Sequence, residues 1–324
     1  MIAAAPPPLH VLPPKHGMYH AAFPGFCPTE DCASAQRVRA FEKLAGKRIV
    51  WAYFSDNWFD GIHFPAAKVQ AIWSVHHTIP FIRLMARANW DEGCQDKTYS
   101  LDKLLAGDFD DELAQYARDA AASGIPLLME FGTEANGDWF PWSGPCNGGP
   151  EVFKQAWRHV VSIFRANGAA NVTWVLHLDA SDPSTIAAYY PGASWVDWVG
   201  LSAYGAQQPG DPWRSFHSVF APAYAALARA APGKPMALLE FGVVVERGHD
   251  KAAWIAAAFK DLKSGRYPRL KAVSWWSSNW TNGGGIGPSL MRIDTSPAVL
   301  RAYRSAVATS TFVSVPRLAA ASTR

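Results

Sequence analysis

The chain of 324 residues is short of charge and has no long hydrophobic run. Asp, Glu, Lys and Arg make up 18% of it, and the basic residues are scattered without clusters, so nucleic acid has no electrostatic footprint to recognise. No apolar stretch approaches the roughly 20 residues of a membrane-spanning helix, and no membrane partner is expected. The spacings of metal sites are missing too: there is no Cys-x-x-Cys and no His-Glu-x-x-His, and His76-His77 is an adjacent pair at an expected helix end. Neither a metal nor a cofactor is called for. A Gly-rich phosphate loop after the first strand is absent, which weighs against an open nucleotide-binding sheet. The opening MIAAAPPPLHVLPP has neither the charged start nor the continuous apolar segment of a signal peptide.

Aromatic residues are abundant. Fifteen Trp, ten Tyr and seventeen Phe exceed the needs of a core, and many of the Trp stand beside Asn, Asp, Gly or Ser at apparent strand ends. Rings in such places either pack a barrel or offer flat faces to sugars. With 49% hydrophobic residues and a formal charge of +3, the chain reads as a soluble globular protein and a monomer. Its four cysteines allow two disulfides, with Cys27 and Cys32 around a short loop and Cys94 and Cys146 in two Gly- and Asp-containing loops; the alternative is four free thiols. A secreted or periplasmic mature form is expected.

Along the chain, apolar strands alternate with amphipathic helices. Strands are predicted near 17–22, 48–55, 79–85, 126–132, 172–178, 196–204, 235–241 and 271–277. Helices are predicted near 33–45, 66–76, 110–123, 151–167, 213–230, 250–264 and 297–308, with a short one near 184–190. The helix after Pro150 is the clearest, because Phe153, Ala156, Trp157, Val160 and Phe164 recur at three- and four-residue spacing. Eight strands that are apolar on both faces, separated by helices, imply an α/β fold of the (β/α)8 TIM barrel type in a single domain, residues 16–308. Residues 1–15 read as an extended Pro/Ala-rich lead-in without structure of its own, and 309–324 as a surface or disordered tail.

Two strands end in a carboxylate. PLLMEFGTEANGDWFPWS, from Pro126 to Ser143, turns polar at Gly132-Thr133-Glu134, and KPMALLEFGV, from Lys234 to Val243, ends at Glu240. Barrel enzymes carry their reactive groups at the carboxyl ends of strands. Glutamates after the fourth and seventh strands face one another across that mouth, as a retaining glycosidase needs for an acid/base and a nucleophile. Either glutamate alone is equally read as capping a helix or bridging to an arginine. Tyr204 ends the sixth strand beside Glu240, and its hydroxyl could aim the nucleophile, or be satisfied by backbone. Trp139 and Trp142 follow Glu134, while Trp58 and Trp280 lie in other loops, as stacking platforms or loop packing. Trp275 and Trp276 end the eighth strand, where alternation sends only one into the mouth. Asn136 either orients Glu134 or closes a turn with Gly137.

The segment FGTEANGDWFPW resembles the acid/base motif of glycoside hydrolase family 26. AAFPGF, GKRIVWAYFSDNW, IPFIRLM, WVGLSAYG, LLEFG and AVSWWSSN fall in that family's order around it, over about residues 17–305. The resemblance implies a (β/α)8 barrel, retention of configuration, Glu134 as acid/base and Glu240 as nucleophile. It also implies action on a β-linked polysaccharide, most often as an endo-β-1,4-mannanase and in some members as a mixed-linkage β-glucanase or β-1,3-xylanase. Three positions depart from the pattern: Thr133 stands where the family usually has His, Glu130 where it often has Arg, and Asp179, after His177, where it has Asn. These positions line the family's sugar site, and His177 is taken with them as a substrate-binding candidate. Both carboxylates are untouched, so the expected reaction stands while mannan as substrate is less firmly indicated. A barrel that binds carbohydrate without cleaving it is the alternative from another class. Glu130 is expected to pair with Arg83 on the neighbouring strand.

Overall fold

Runs such as WAYFS and IPFIRLM can be apolar on both faces only where both faces are covered, and a parallel barrel inside a ring of helices does this. The computed structural model describes residues 7–25, 30–90 and 93–321. A short strand β1 (Leu9–Leu12) precedes the barrel. The barrel strands are β2 (Met18–Phe23), β3 (Trp51–Asn57), β4 (Ile79–Met85), β5 (Leu127–Phe131), β6 (Val172–Asp179), β7 (Trp198–Tyr204), β8 (Met236–Gly242) and β9 (Leu270–Trp276). They pair in parallel in chain order, and β2 pairs with β9 from Tyr19–Ala272 to Phe23–Trp276 to close the cylinder.

The outer layer consists of α1 (Ala35–Ala45), α2 (Ala66–Trp73), α3 (Leu101–Ala106), α4 (Asp110–Ser123), α5 (Gly149–Ala166), α6 (Phe216–Ala230), α7 (Lys251–Leu262) and α8 (Pro297–Val307). Side chains of Ser34, Ser100, Ser215, Asp250 and Ser296 accept from backbone N–H groups of the first turns of α1, α3, α6, α7 and α8, which satisfies donors a helix start leaves open. The buried face of α5 is the predicted stripe of Phe153, Ala156, Trp157, Val160 and Phe164. The segment near 184–190 is a single 3₁₀ turn, Ile186–Tyr189, and no helix was predicted at α3, whose six residues are too few to show a period.

Both chain ends differ from the expectation. In the lead-in, β1 pairs antiparallel with β13 (Arg317–Ala320), from Leu9–Ala320 to Leu12–Arg317. Before β13 the tail adds β12 (Phe312–Val313) beside β2; a small hairpin, β10 (Asn279–Trp280) with β11 (Ser289–Leu290), follows β9. Val11 is buried: its N–H donates to Thr173 Oγ1 and its carbonyl accepts from Trp198 Nε1. Those partners sit at the amino ends of β6 and β7, so the two termini together floor the barrel at the end away from the glutamates. Proline richness concealed the strand because only the four residues LHVL form it.

Candidate active site

Glu240 lies inside β8, and its aim depends on an irregularity. Between β7 and β8 the register slips at Leu201/Ser202: Leu201 opposes Leu238, but Ser202 opposes Glu240, which leaves Leu239 as an extra residue. Such bulges re-aim side chains at barrel rims. Glu134 stands three residues beyond β5, in the loop that follows. Its backbone is left-handed, with φ 51°, as is that of Gly132, with φ 62°. At Gly132 a Cβ would come within 2.8 Å of the Phe153 ring and 3.0 Å of the Trp142 ring, so the chain can turn there only without a side chain. The Glu134 N–H donates to the His177 carbonyl at 3.1 Å and its own carbonyl accepts from Gly137 at 2.9 Å.

The two carboxyl groups meet at the mouth. Oxygens of Glu134 and Glu240 and a ring nitrogen of His177 all lie within 4.8 Å of one another, on three buried side chains. Tyr204 donates its hydroxyl to Glu240 Oε2 at 2.6 Å. Oε1 of Glu240 accepts no hydrogen bond among the described residues and lies 3.4 Å from Arg83 Nη2. One oxygen is therefore held by a hydrogen bond and the other, buried, by the charge of Arg83. Burial first, and then the negative charge of Glu240, push the Glu134 carboxyl up to about 8. Burial also raises Glu240, to about 7, against the pull of Arg83 and the hydrogen bond from Tyr204. Glu240 thus ionises first, and its charge helps keep the proton on Glu134.

Arg83, nearly fully buried, is the hub of the site. It reaches Glu30 Oε2 at 2.9 Å, Glu130 Oε1 at 3.4 Å and Glu240, with its guanidinium over the rings of Tyr53 and Trp276. The expected Arg83–Glu130 pair exists, and the same arginine also steadies the second carboxylate of the mouth. A cleft of about 400 Å³ opens above these groups, with Glu134, Glu240, Arg83 and Glu30 in its wall. Trp90, Phe140, Tyr204, Trp276 and Trp280 supply its rings, and Gln207, Ser278 and Thr281 its neutral polar groups.

The aromatic candidates divide. Trp139 is 37% exposed and its indole N–H donates to Glu134 Oε2 at 3.0 Å. Trp276 faces the cleft, stacked on Phe23 with 3.8 Å between centroids. Trp275 points to the helix layer, packed on Phe241, Trp254 and Tyr303, as alternation along β9 requires. Trp142 is buried too; its N–H donates to the Thr133 carbonyl and its ring stacks on Phe140. Trp58 is buried against Tyr99 and Phe109. Trp58, Trp142 and Trp275 are therefore core residues, not sugar platforms.

Asn136 does not touch the Glu134 carboxyl. Its side chain clasps the Asp179 backbone, donating to the carbonyl and accepting from the N–H, and also donates to Thr185; it ties the acid-bearing loop to the end of β6. His177 is not in the cleft wall either. Its Nδ1 lies 3.0 Å from Glu130 Oε2, 2.8 Å from Tyr53 Oη and 2.8 Å from Thr133 Oγ1, and its Nε2 lies 2.6 Å from Ser202 Oγ. With both ring nitrogens engaged, His177 offers no free lone pair to an ion between the carboxylates. Tyr53, Glu30 and Ser202 were not singled out in the sequence. The signal for Tyr53 and Ser202 was a polar group at an inward position of an otherwise apolar strand. A disulfide joins Cys94 to Cys146, with Cα atoms 5.6 Å apart, and Cys32 is also disulfide-bonded; Cys27 lies outside the described residues.

The family model of glycosyl hydrolase family 26 matches residues 87–267, more than half of the chain and a span that includes both glutamates. Endoglucanase H of Acetivibrio thermocellus is 30% identical over 301 residues, which cover 90% of this chain and 30% of that protein. A mannan endo-1,4-beta-mannosidase of Bacillus subtilis is 27% identical over 191 residues, 57% of this chain and 48% of that one. The chain thus spans less than half the length of either relative. Among solved structures, a modular endo-beta-1,4-mannanase from Cellulomonas fimi superposes with a TM-score of 0.67 at 18% identity, over 94% of this chain and 75% of that one, a likeness of fold. With the matching family profile, the barrel and the paired glutamates at its mouth, this chain belongs to glycosyl hydrolase family 26.

Proposed function

We propose that the chain is a retaining, endo-acting glycoside hydrolase that cleaves a β-linked polysaccharide, with β-1,4-mannan as its first candidate substrate. The observation that carries this reading is the approach of the Glu134 and Glu240 carboxyl oxygens to within 4.8 Å. That distance suits a double displacement and leaves no room for the water an inverting enzyme holds between its carboxylates. In the first step a carboxylate oxygen of Glu240 attacks the anomeric carbon, Glu134 gives its proton to the glycosidic oxygen, and the C–O bond breaks to leave a glycosyl ester on Glu240. In the second, Glu134 takes a proton from water as its oxygen attacks the same carbon and the ester bond breaks, which restores both side chains. Tyr204 and Arg83 hold Glu240 for attack. An open cleft lined by Trp90, Trp276 and Trp280 supports binding within a chain. The Cys94–Cys146 disulfide supports a secreted or periplasmic location.

A second reading, with a β-glucan as substrate, is favoured by the coverage of the relative named Endoglucanase H and by Thr133 and Glu130 in place of the family's His and Arg. Digestion of mannan, galactomannan, glucomannan, lichenan and β-1,3-xylan with sizing of the products decides between them. NMR of the first-formed reducing end should show the β-anomer. Glu240→Ala should lose activity by several orders of magnitude, and azide should restore turnover as an α-glycosyl azide. An α-anomer as the first product, or a Glu240→Ala variant that keeps its activity, would sink the assignment.

A further inference from the structure

Three carboxylates share the one guanidinium of Arg83, and they are not placed alike. Glu30, Glu130 and Glu240 face it at 2.9, 3.4 and 3.4 Å. Glu130 is fully buried and does not line the cleft, and Glu240 is read as the nucleophile. Glu30, from the loop after β2, keeps 30% of its side chain exposed and stands in the cleft wall. Its hydrogen bonds fall on a single oxygen: Oε2 accepts from Arg83 Nη1 at 2.9 Å and from Ser55 Oγ at 3.0 Å. Its backbone carbonyl accepts from the Ser55 N–H at 2.9 Å, which pins the loop as well. Oε1 accepts from no group among the described residues and, unlike Oε1 of Glu240, is not buried. Arg83 and Ser55 therefore fix the carboxylate in place and leave its second oxygen as a preset acceptor.

The order of the strands says which half of a substrate meets it. β2 stands beside β9, with Phe23 paired to Trp276 and the two rings stacked 3.8 Å apart. Arg83 joins the two sides of this corner, its guanidinium 5.4 Å from the Trp276 centroid and bonded to Glu30. Glu134 comes from the loop after β5, three strands further round the barrel. The leaving group has to lie on the Glu134 side, where it receives its proton, so the glycone falls to the side of Trp276 and Glu30. Glu30 and Glu240 take the two terminal nitrogens of the same guanidinium, Nη1 and Nη2. Their carboxyl groups are thus apart by about the breadth of one pyranose ring. A fixed carboxylate beside an indole face suits a neutral sugar, whose ring stacks while a hydroxyl at its edge donates to the oxygen.

We propose that Glu30 is a substrate-binding residue of the glycone side, whose Oε1 accepts a hydrogen bond from a hydroxyl of a neutral β-linked pyranose lying on Trp276. This rests on the reading of Glu240 as nucleophile and Glu134 as acid/base. The same carboxylate excludes a uronic acid from that position, because Arg83 is already shared among three carboxylates and has no charge left to offset a fourth.

The test is kcat/KM of the full chain and of Glu30→Gln on an aryl β-glycoside with a good leaving group, built on the repeating disaccharide of the polysaccharide that the parent cleaves, and on its monodeoxy analogues. Arg83 and Ser55 are donors here, so the Gln amide turns its oxygen to them and its NH2 to the cleft; the contact with Arg83 survives and the acceptor is lost. Glu30→Gln should lower kcat/KM by about tenfold to a hundredfold, as loss of one hydrogen bond to a charged group implies. Removal of one particular hydroxyl should lower the parent by a similar factor and change Glu30→Gln by no more than about twofold. A loss that came only through Arg83 and Glu240 would fall equally on every analogue. Losses that add at every position, or an undiminished Glu30→Gln, would overturn the contact. A parent that cleaves no β-linked polysaccharide defeats the glycosidase reading and the contact with it; a parent that cleaves one, with additive losses throughout, defeats the contact alone.

Discussion

At Glu134 the backbone takes a left-handed conformation that a residue with a Cβ rarely adopts, φ 51°, at a cost of order 1–3 kcal/mol. The side chain is also buried with its proton retained, its carboxyl pushed up to about 8 by burial and then by Glu240. The folded protein therefore binds this proton more tightly than the unfolded chain does, and its stability falls as pH rises from about 4.5, the unfolded value, to about 8. Glu134→Gln removes the titration, so its melting temperature should exceed that of the parent by a margin that widens across this window. A constant difference from pH 5 to pH 8 would show that Glu134 is not held protonated by the fold. Trp139 acts in the opposite sense, because its indole N–H can only donate to Oε2. Trp139→Phe keeps a ring at the site and removes the donor; the alkaline limb of kcat/KM should rise, by about half a pH unit to one unit. A downward shift would mean that the indole is not bonded to the carboxylate during turnover.

Among the elements, the loops after β4 and β5 matter most, since they carry Trp90 and Phe140 of the cleft wall, both against Arg87, and Trp139 beside Glu134. The Cys94–Cys146 disulfide joins these two loops across a sequence separation of 52. Asn147 adds a hydrogen bond from its side chain to the Cys94 carbonyl. Closing a loop of that size stabilises by about 4 kcal/mol through the entropy of the unfolded chain. Replacing both cysteines with serine should lower the denaturant midpoint and raise KM for polysaccharide more than it lowers kcat, because the glutamates sit on β8 and on the tight turn after β5. An unchanged KM with a reduced kcat would place the loops in the chemistry itself. In the parent, thiol counting without reduction should find neither Cys94 nor Cys146.

On the scale of the whole molecule, the chain ends act far from the cleft. Residues 9–12 bury Val11 and make three hydrogen bonds to the barrel floor, the third from the Tyr19 hydroxyl to the Leu12 carbonyl, worth together about 5 kcal/mol by side-chain burial and bonding. A chain that starts at Pro13 should unfold at lower denaturant while keeping its kcat, since the floor and the glutamates lie at opposite ends of the strands. Loss of kcat without loss of stability would mean that the two ends of the barrel are coupled.

From the sequence alone, the eight strands, the helix after Pro150 and the carboxylates of Glu134 and Glu240 were legible, because each leaves a local trace: an apolar run, a 3.6-residue period, a polar break at a strand end. Tyr204 beside Glu240 also followed from counting strands. What stayed hidden depends on which way a side chain points and on what lies across the barrel. Trp58, Trp142 and Trp275 have the composition of sugar platforms, yet fill the core, since an indole packs as well inward as outward and only the surrounding elements decide. His177 read as a sugar ligand and instead lies behind the acid, where strands β3, β5 and β7 bring Tyr53, Glu130 and Ser202 to it from positions 25 to 124 residues away. The pairing of β1 with β13 was equally invisible, because it joins segments more than 300 residues apart that are strands only in each other's presence. Local patterning determined the barrel and its two glutamates; the closed sheet, by bringing distant strands side by side, decided which polar groups hold them and which rings face the cleft.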